Sequence, residues 1–175
     1  MAEQTMQAII IDVDLVWVDP VAATKLGIAR QSNHVENSTP RLFDDKNNED
    51  IKGVVAEMAF EHYSGLPMSR ELYGGAGDGG VDFVFNLNGK PTTIDVKGSM
   101  KPYHLLVKCV GIQRCADILV LAGFKDENVQ FLGWEHKAVM EVMPTKDFGV
   151  GPSHYKHRRD LIPMHKLWNL IWKQP

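Results

Sequence analysis

Cysteine is scarce in this chain: Cys109 and Cys115 are the only two in 175 residues. Two thiols without ligand spacing make neither a disulfide framework nor a zinc site, so a reducing compartment is expected. No apolar run reaches the length that crosses a bilayer, which argues against a membrane partner. The opening "MAEQTMQAIIIDVD" lacks a basic segment and puts acids inside its apolar stretch, so no secretory leader is read there. The expected location is the cytoplasm, the host's if the gene is carried by a phage. Positive charge is not in excess either, since the formal net charge is -3. A protein that wraps nucleic acid usually shows a basic surplus, so any such binding must rest on local patches. There is no internal repeat, low-complexity tract or clear linker.

What is present is the composition of a globular domain, 44% hydrophobic and 23% charged. Residues 1–175 are read as one domain with a core at about 48–135, a length that buries a core without staples. "AIIIDVDLVWV" at 8–18 predicts a strand, and Pro20 opens a helix after it. Polar residues 34–50 predict a loop. A helix follows in "EDIKGVVAEMAFEHYSG", with Gly65 as its stop. Strands are predicted at 81–87, 92–97, 104–108, 117–123 and 128–134. Short helices are predicted near 109–116, near 135–141 and at 163–172. One helix, a strand meander and mixed elements argue an α/β or α+β fold around one mixed sheet.

The segment "GGAGDGGVDFVFNLNGKPTTIDVKGS" at 74–99 is the most informative. Asn-Gly between alternating runs is a strong hairpin signal. With Asn88 and Gly89 as the turn, Leu87 faces Lys90 and Asp82 faces Asp95. Such a pair has Cα atoms roughly 4.5 Å apart, close enough to share one cation. The pleat puts Asp82, Thr93, Asp95 and Lys97 on one face and Phe83, Phe85, Leu87, Ile94 and Val96 on the other. Opposed like charges destabilise a hairpin unless something compensates them. A solvated surface hairpin with a chance Asp–Lys pair is the alternative reading. On the preceding helix Glu57 lies among Ala56, Met58, Ala59 and Phe60, an acid in an apolar setting that needs a partner. A rim glutamate paired with a lysine is the alternative there.

G-x-x-x-E on a helix, then D, then D-x-K resembles the PD-(D/E)XK nuclease superfamily, the restriction-endonuclease-like fold, in its small phage and bacterial form. The matching pieces are "GVVAE" (53–57), "GVDF" (80–83) and "IDVKGS" (94–99), and the likeness spans roughly 50–135. Val81 departs from the proline of the superfamily's name. The resemblance implies a central mixed sheet flanked by helices. It implies Glu57, Asp82 and Asp95 as ligands of Mg²⁺ or Mn²⁺, and Lys97 as the catalytic lysine. It implies hydrolysis of DNA phosphodiester bonds leaving 5′-phosphates, with RNA left open as a substrate. Carboxylate oxygens suit such hard cations. A homodimer would cut both strands of a duplex more simply than a monomer.

Arg30, Gln113, and Lys156, Arg158 and Arg159 of "HYKHRRD" are candidates to contact nucleic acid; the alternatives are ordinary surface charge for Arg30, a surface glutamine for Gln113 and a solvated basic strand or loop for the last three. Asp78 rivals Asp82 but lies in the glycine loop, where a turn role fits. His154, His157 and His165 are spaced too loosely for zinc. Asp12 and Asp14 after "III" mimic a haloacid-dehalogenase-type phosphatase, a remote alternative. A catalytically silent nucleic-acid-binding protein on the same fold is the nearer one.

Overall fold

The computed structural model describes residues 45–68, 80–125, 128–149 and 151–173. The strand expected at 8–18, the helix after Pro20, Arg30, Asp12, Asp14 and Asp78 lie outside them.

The chain forms a mixed α/β fold of seven strands in two sheets with three α-helices among the described residues. Helix α1 (Asp45–Ser64) starts earlier than its sequence pattern suggested. It stops where Gly65 turns into the left-handed region (φ 73), which costs glycine nothing. Strands β1 (Phe83–Leu87), β2 (Lys90–Ser99), β4 (Ile118–Lys125) and β5 (Asn128–His136) build one sheet, in the order β1-β2-β4-β5. It is mixed: β1–β2 and β4–β5 are antiparallel, while β2–β4 is parallel. A reciprocal clasp sets the parallel register, since Asp117 Oδ2 accepts from Thr93 N (3.0 Å) and Thr93 Oγ1 (2.8 Å). The Asp117 amide returns a hydrogen bond to Thr93 Oγ1 (2.9 Å). These bonds hold the Asp117 carboxyl below its ordinary range.

The single sheet expected from the pattern is accompanied by a second. Strands β3 (His104–Lys108), β6 (Thr145–Asp147) and β7 (Pro152–His157) pair as β3-β7-β6. A one-turn 3-10 helix occupies Ile112–Arg114. Helices α2 (Lys137–Met140) and α3 (Met164–Trp172) complete the chain. No described helix is long and apolar enough to cross a membrane.

Each face of the larger sheet therefore has its own core. On one, Phe60 of α1 sits against Phe83 (4.8 Å between ring centroids), Phe131 (5.6 Å) and Trp168 of α3 (5.2 Å). On the other, Leu119 and Leu121 pack with Leu105 and Val107 of β3 and with Met140 of α2. Burial of these side chains is the main source of stability, at about 1.5–3 kcal/mol for each large one.

Candidate active site

The β1–β2 hairpin positions the acidic residues. Asn88 (φ 52) and Gly89 (φ 80) both take the left-handed conformation that a two-residue hairpin turn requires. Pairing runs from Leu87↔Lys90 to Phe83↔Ile94, as the turn predicts. There the ladder ends, and the expected Asp82–Asp95 strand pair does not form. The Asp82 amide donates to Ile94 O (2.9 Å), so Asp82 and Phe83 both lie against Ile94, as at a β-bulge. The Asp82 side chain reaches on along the edge of β2, where its Oδ2 accepts the Val96 amide at 2.7 Å. A carboxylate thus occupies the place where the next ladder bond would fall.

Asp95 lies on central β2, opposite Leu119 of β4. Its face is that of the second core, and its residue exposure is 3%. The solvated face of the alternative reading does not form: the neighbouring Leu119 and Leu121 lie in the second core with β3. Two residues on, Lys97 lies opposite Leu121 and turns its Nζ onto Asp95 Oδ2 at 2.5 Å. Burial works to lower the Lys97 amine, but Asp95 in contact and Asp82 behind it prevail, so the amine is held above its ordinary value.

Glu57 comes from α1 and is buried. Helix and sheet meet at Gly98: a Cβ there would stand 3.3 Å from the Lys52 carbonyl and 3.4 Å from Ala56 Cβ. This close approach, one residue past Lys97, carries Glu57 into the field of Asp82. Burial first, then the charges of Glu57 and Asp95, push the Asp82 carboxyl well above its usual range. The Val96 amide and Lys97 pull the other way and lose. Gly80 lies against Asp95. It has φ 71, and a Cβ there would lie 3.3 Å from Asp95 Oδ2.

Glu57, Asp82, Asp95 and Lys97 are therefore brought into one electrostatic neighbourhood. The carboxylate oxygens of Glu57, Asp82 and Asp95 are hard donors of the kind that Mg²⁺ or Mn²⁺ takes. Among the described residues no three His, Cys, Asp or Glu side chains are already drawn together as a metal-holding group. Lys97 instead neutralises Asp95, and a backbone amide holds Asp82.

The other candidates are spread out. Gln113 is exposed in the 3-10 helix, which ends at Cys115. Burial first raises the Cys115 thiol, and Lys97 and Asp95 both act on it, so this element flanks the site. Lys156 points inward from β7 to form an ion pair with buried Glu135 of β5. Arg158 is exposed above the Tyr103 ring (5.8 Å), and Arg159 donates from N and Nε to His157 Nδ1 (both 3.2 Å). Glu135 was not anticipated. In "VQFLGWE" it continues the alternation of Val129 and Phe131, which face the first core. An irregularity in the β4–β5 register leaves Leu132 unpaired and reverses the faces beyond it. Glu135 thereby turns to the same face as Asp95, with Leu119 between them across three strands.

No family model, no curated protein and no solved structure matches the chain.

Proposed function

We propose that this protein is a divalent-metal-dependent DNA endonuclease that hydrolyses phosphodiester bonds and leaves 5′-phosphate ends. The observation that supports it is the contact of Lys97 with Asp95, two residues apart on the central strand, beside buried Asp82 and Glu57. Burying three carboxylates in one neighbourhood is costly to a fold, so their presence together calls for a function. The Asp82 carboxyl, pushed well up by burial and by the charges of Glu57 and Asp95, is the kind of perturbed acid that gathers at functional sites.

Glu57, Asp82 and Asp95 are the residues that would hold the ion. Mg²⁺ or Mn²⁺ there supplies Lewis acidity toward a phosphoryl oxygen and makes a water acidic enough to attack phosphorus. The chain's own contribution is Lys97. Its raised pKa keeps the amine protonated at neutral pH, and its side chain is 39% exposed at one end of the site. It donates to the oxygen on which negative charge grows, or orients the attacking water. Gly80 keeps the approach to Asp95 free of a side chain. A reducing cytoplasm fits the free thiols of Cys109 and Cys115.

Nicking of supercoiled plasmid in Mg²⁺ or Mn²⁺, but not in EDTA, and its loss in Asp95→Ala, is the test. A silent nucleic-acid-binding protein would retain DNA without cutting it. Absence of cleavage on supercoiled, linear, single-stranded and branched substrates with either ion would remove the hydrolytic reading.

A further inference from the structure

The second sheet has a face that its own core does not use. Leu105 and Val107 of β3 and Lys156 of β7 point inward, to the second core and to Glu135. The alternate residues lie on the opposite face, and pairing arranges them in rows, although Ser153 among them is itself fully buried. Lys108 and Lys146 both lie opposite Ser153, one on each side. Leu106 lies opposite Tyr155, and His104 opposite His157. Phe148, from the turn after β6, lies across this face, 5.3 Å from the His104 ring and 5.3 Å from the Tyr155 ring. His104 also meets the His157 ring edge-on at 5.2 Å.

None of the outward positions on these three strands carries a carboxylate. Asp147, the nearest acid in sequence, turns its Oδ1 into its own loop, accepting the Gly149 amide (2.7 Å) and the Gly151 amide (3.1 Å). In a chain of net charge -3, an outward face bearing Lys108 and Lys146 but no acid is a local reversal of sign. The rings are partly open: Phe148 is 36% exposed, and the Lys146 amine stands over it at 5.4 Å. An exposed cation–ring contact of this kind is weak enough for another flat group to displace. Burial, followed by His157 and Lys146, lowers the His104 imidazole, so it presents a neutral aromatic surface at physiological pH.

We propose that this outer face, built from His104, Phe148, Tyr155 and His157 and flanked by Lys108 and Lys146, binds single-stranded nucleic acid. Rings on a flat sheet offer stacking surfaces to unpaired bases, while lysines at the border meet the phosphates. A duplex keeps its bases stacked on one another and would leave the rings without a partner. The face is distinct from the Asp95–Lys97 site and needs no metal, so it stands or falls independently of the hydrolytic reading.

The test is fluorescence anisotropy in EDTA with the full chain, using labelled oligo-dT of about 16 nucleotides and a duplex of equal length. Oligo-dT is expected to bind about tenfold more tightly than the duplex, in keeping with stacking on several rings. Phe148→Leu keeps apolar volume but removes the ring. It is expected to weaken oligo-dT binding about fivefold and leave the salt dependence unchanged. Lys108→Ala and Lys146→Ala are each expected to lower the slope of log K against log salt by about 0.7, one phosphate contact on a single strand. Thermal melts matching wild type show that the variants are folded. Equal affinity for both DNAs, wild-type binding by folded Phe148→Leu, or equal competition by poly-L-glutamate, which would mark an acidic protein as the partner, overturns the proposal. Plasmid cleavage is scored separately in Mg²⁺.

Discussion

The Asp82 carboxylate accepts the Val96 amide at the place where the β1–β2 ladder runs out. That single bond holds a buried acid at the edge of the central strand, within the fields of Glu57 and Asp95. It does not compensate the acid fully, because the carboxyl remains pushed up. The imbalance makes the site measurable without any assumption about substrate.

Asp82→Asn keeps an oxygen for the Val96 amide and removes the charge. In EDTA at neutral pH it is expected to melt above wild type by a few degrees, at about 2–4 °C per kcal/mol for a chain of this size. The sign of the pH dependence follows from a raised acid. Native protein retains a proton that the unfolded chain has already lost, so wild-type stability falls as pH rises from the unfolded value of 3.8 through the higher native one. The gap between the two proteins should open from acid to neutral pH and close below about pH 4. Mg²⁺ should raise the wild-type melting temperature by mass action and the variant's much less. A variant that melts below wild type in EDTA would mean that structural hydrogen bonds satisfy the carboxylates.

Lys97→Ala should leave divalent-ion affinity undiminished, because a protonated amine is no ligand. Cleavage should fall about 100-fold or more, the usual loss when a charge-stabilising donor is removed. Without metal the variant lacks the cation in contact with buried Asp95, so its melting temperature in EDTA should drop and Mg²⁺ should restore part of it. Wild-type stabilisation by this pair is present below the unfolded lysine pKa of 10.5 and is lost as pH rises through the raised native value. Calorimetry showing that metal affinity disappears with the lysine would contradict this division of roles.

Gly98→Val tests how Glu57 is placed. The Cβ would press on the Lys52 carbonyl and the Phe124 ring, both at 3.3 Å, and the extra methyls would press further. The backbone must give way, moving α1 off β2 and Glu57 off Asp82. Activity should fall by one to two orders of magnitude, as about 1 Å of misplacement commonly costs. The Asp82→Asn stability gain should shrink in the Gly98→Val background, because part of the repulsion has gone. An unchanged gain in the double-mutant cycle would show that α1 does not set the distance.

Lys156→Ala removes the partner of Glu135, a residue 2% exposed. Loss of one member of a buried pair costs about 3–5 kcal/mol. Lys156→Met with Glu135→Gln should recover most of it, which denaturant melts of the single and double variants will measure. Equal losses in all variants would point to packing of the lysine stem and not to charge.

Much of the hairpin was legible in sequence because its information is local. Asn88-Gly89 admits one tight turn, the turn sets the register, and the register alternates Phe83, Phe85, Ile94 and Val96 against Thr93, Asp95 and Lys97. Helix α1, β3 and α3 were legible for the same reason, each pattern being contained within one element. The exact relation of Asp82 to Asp95 was not, because the ladder stops one residue short and a side chain finishes it. Burial of Asp95 and the inward turn of Lys156 depend on segments far apart in sequence, since β3 (His104–Lys108) pairs with β7 (Pro152–His157) in the second sheet. The face of Glu135 depends on one unpaired residue, Leu132, set by the fit of β5 against β4. Turns, caps and alternation are decided among near neighbours and can be read from the chain. Which face is covered, where a ladder ends and which charges share a low-dielectric space are decided by distant segments packing together.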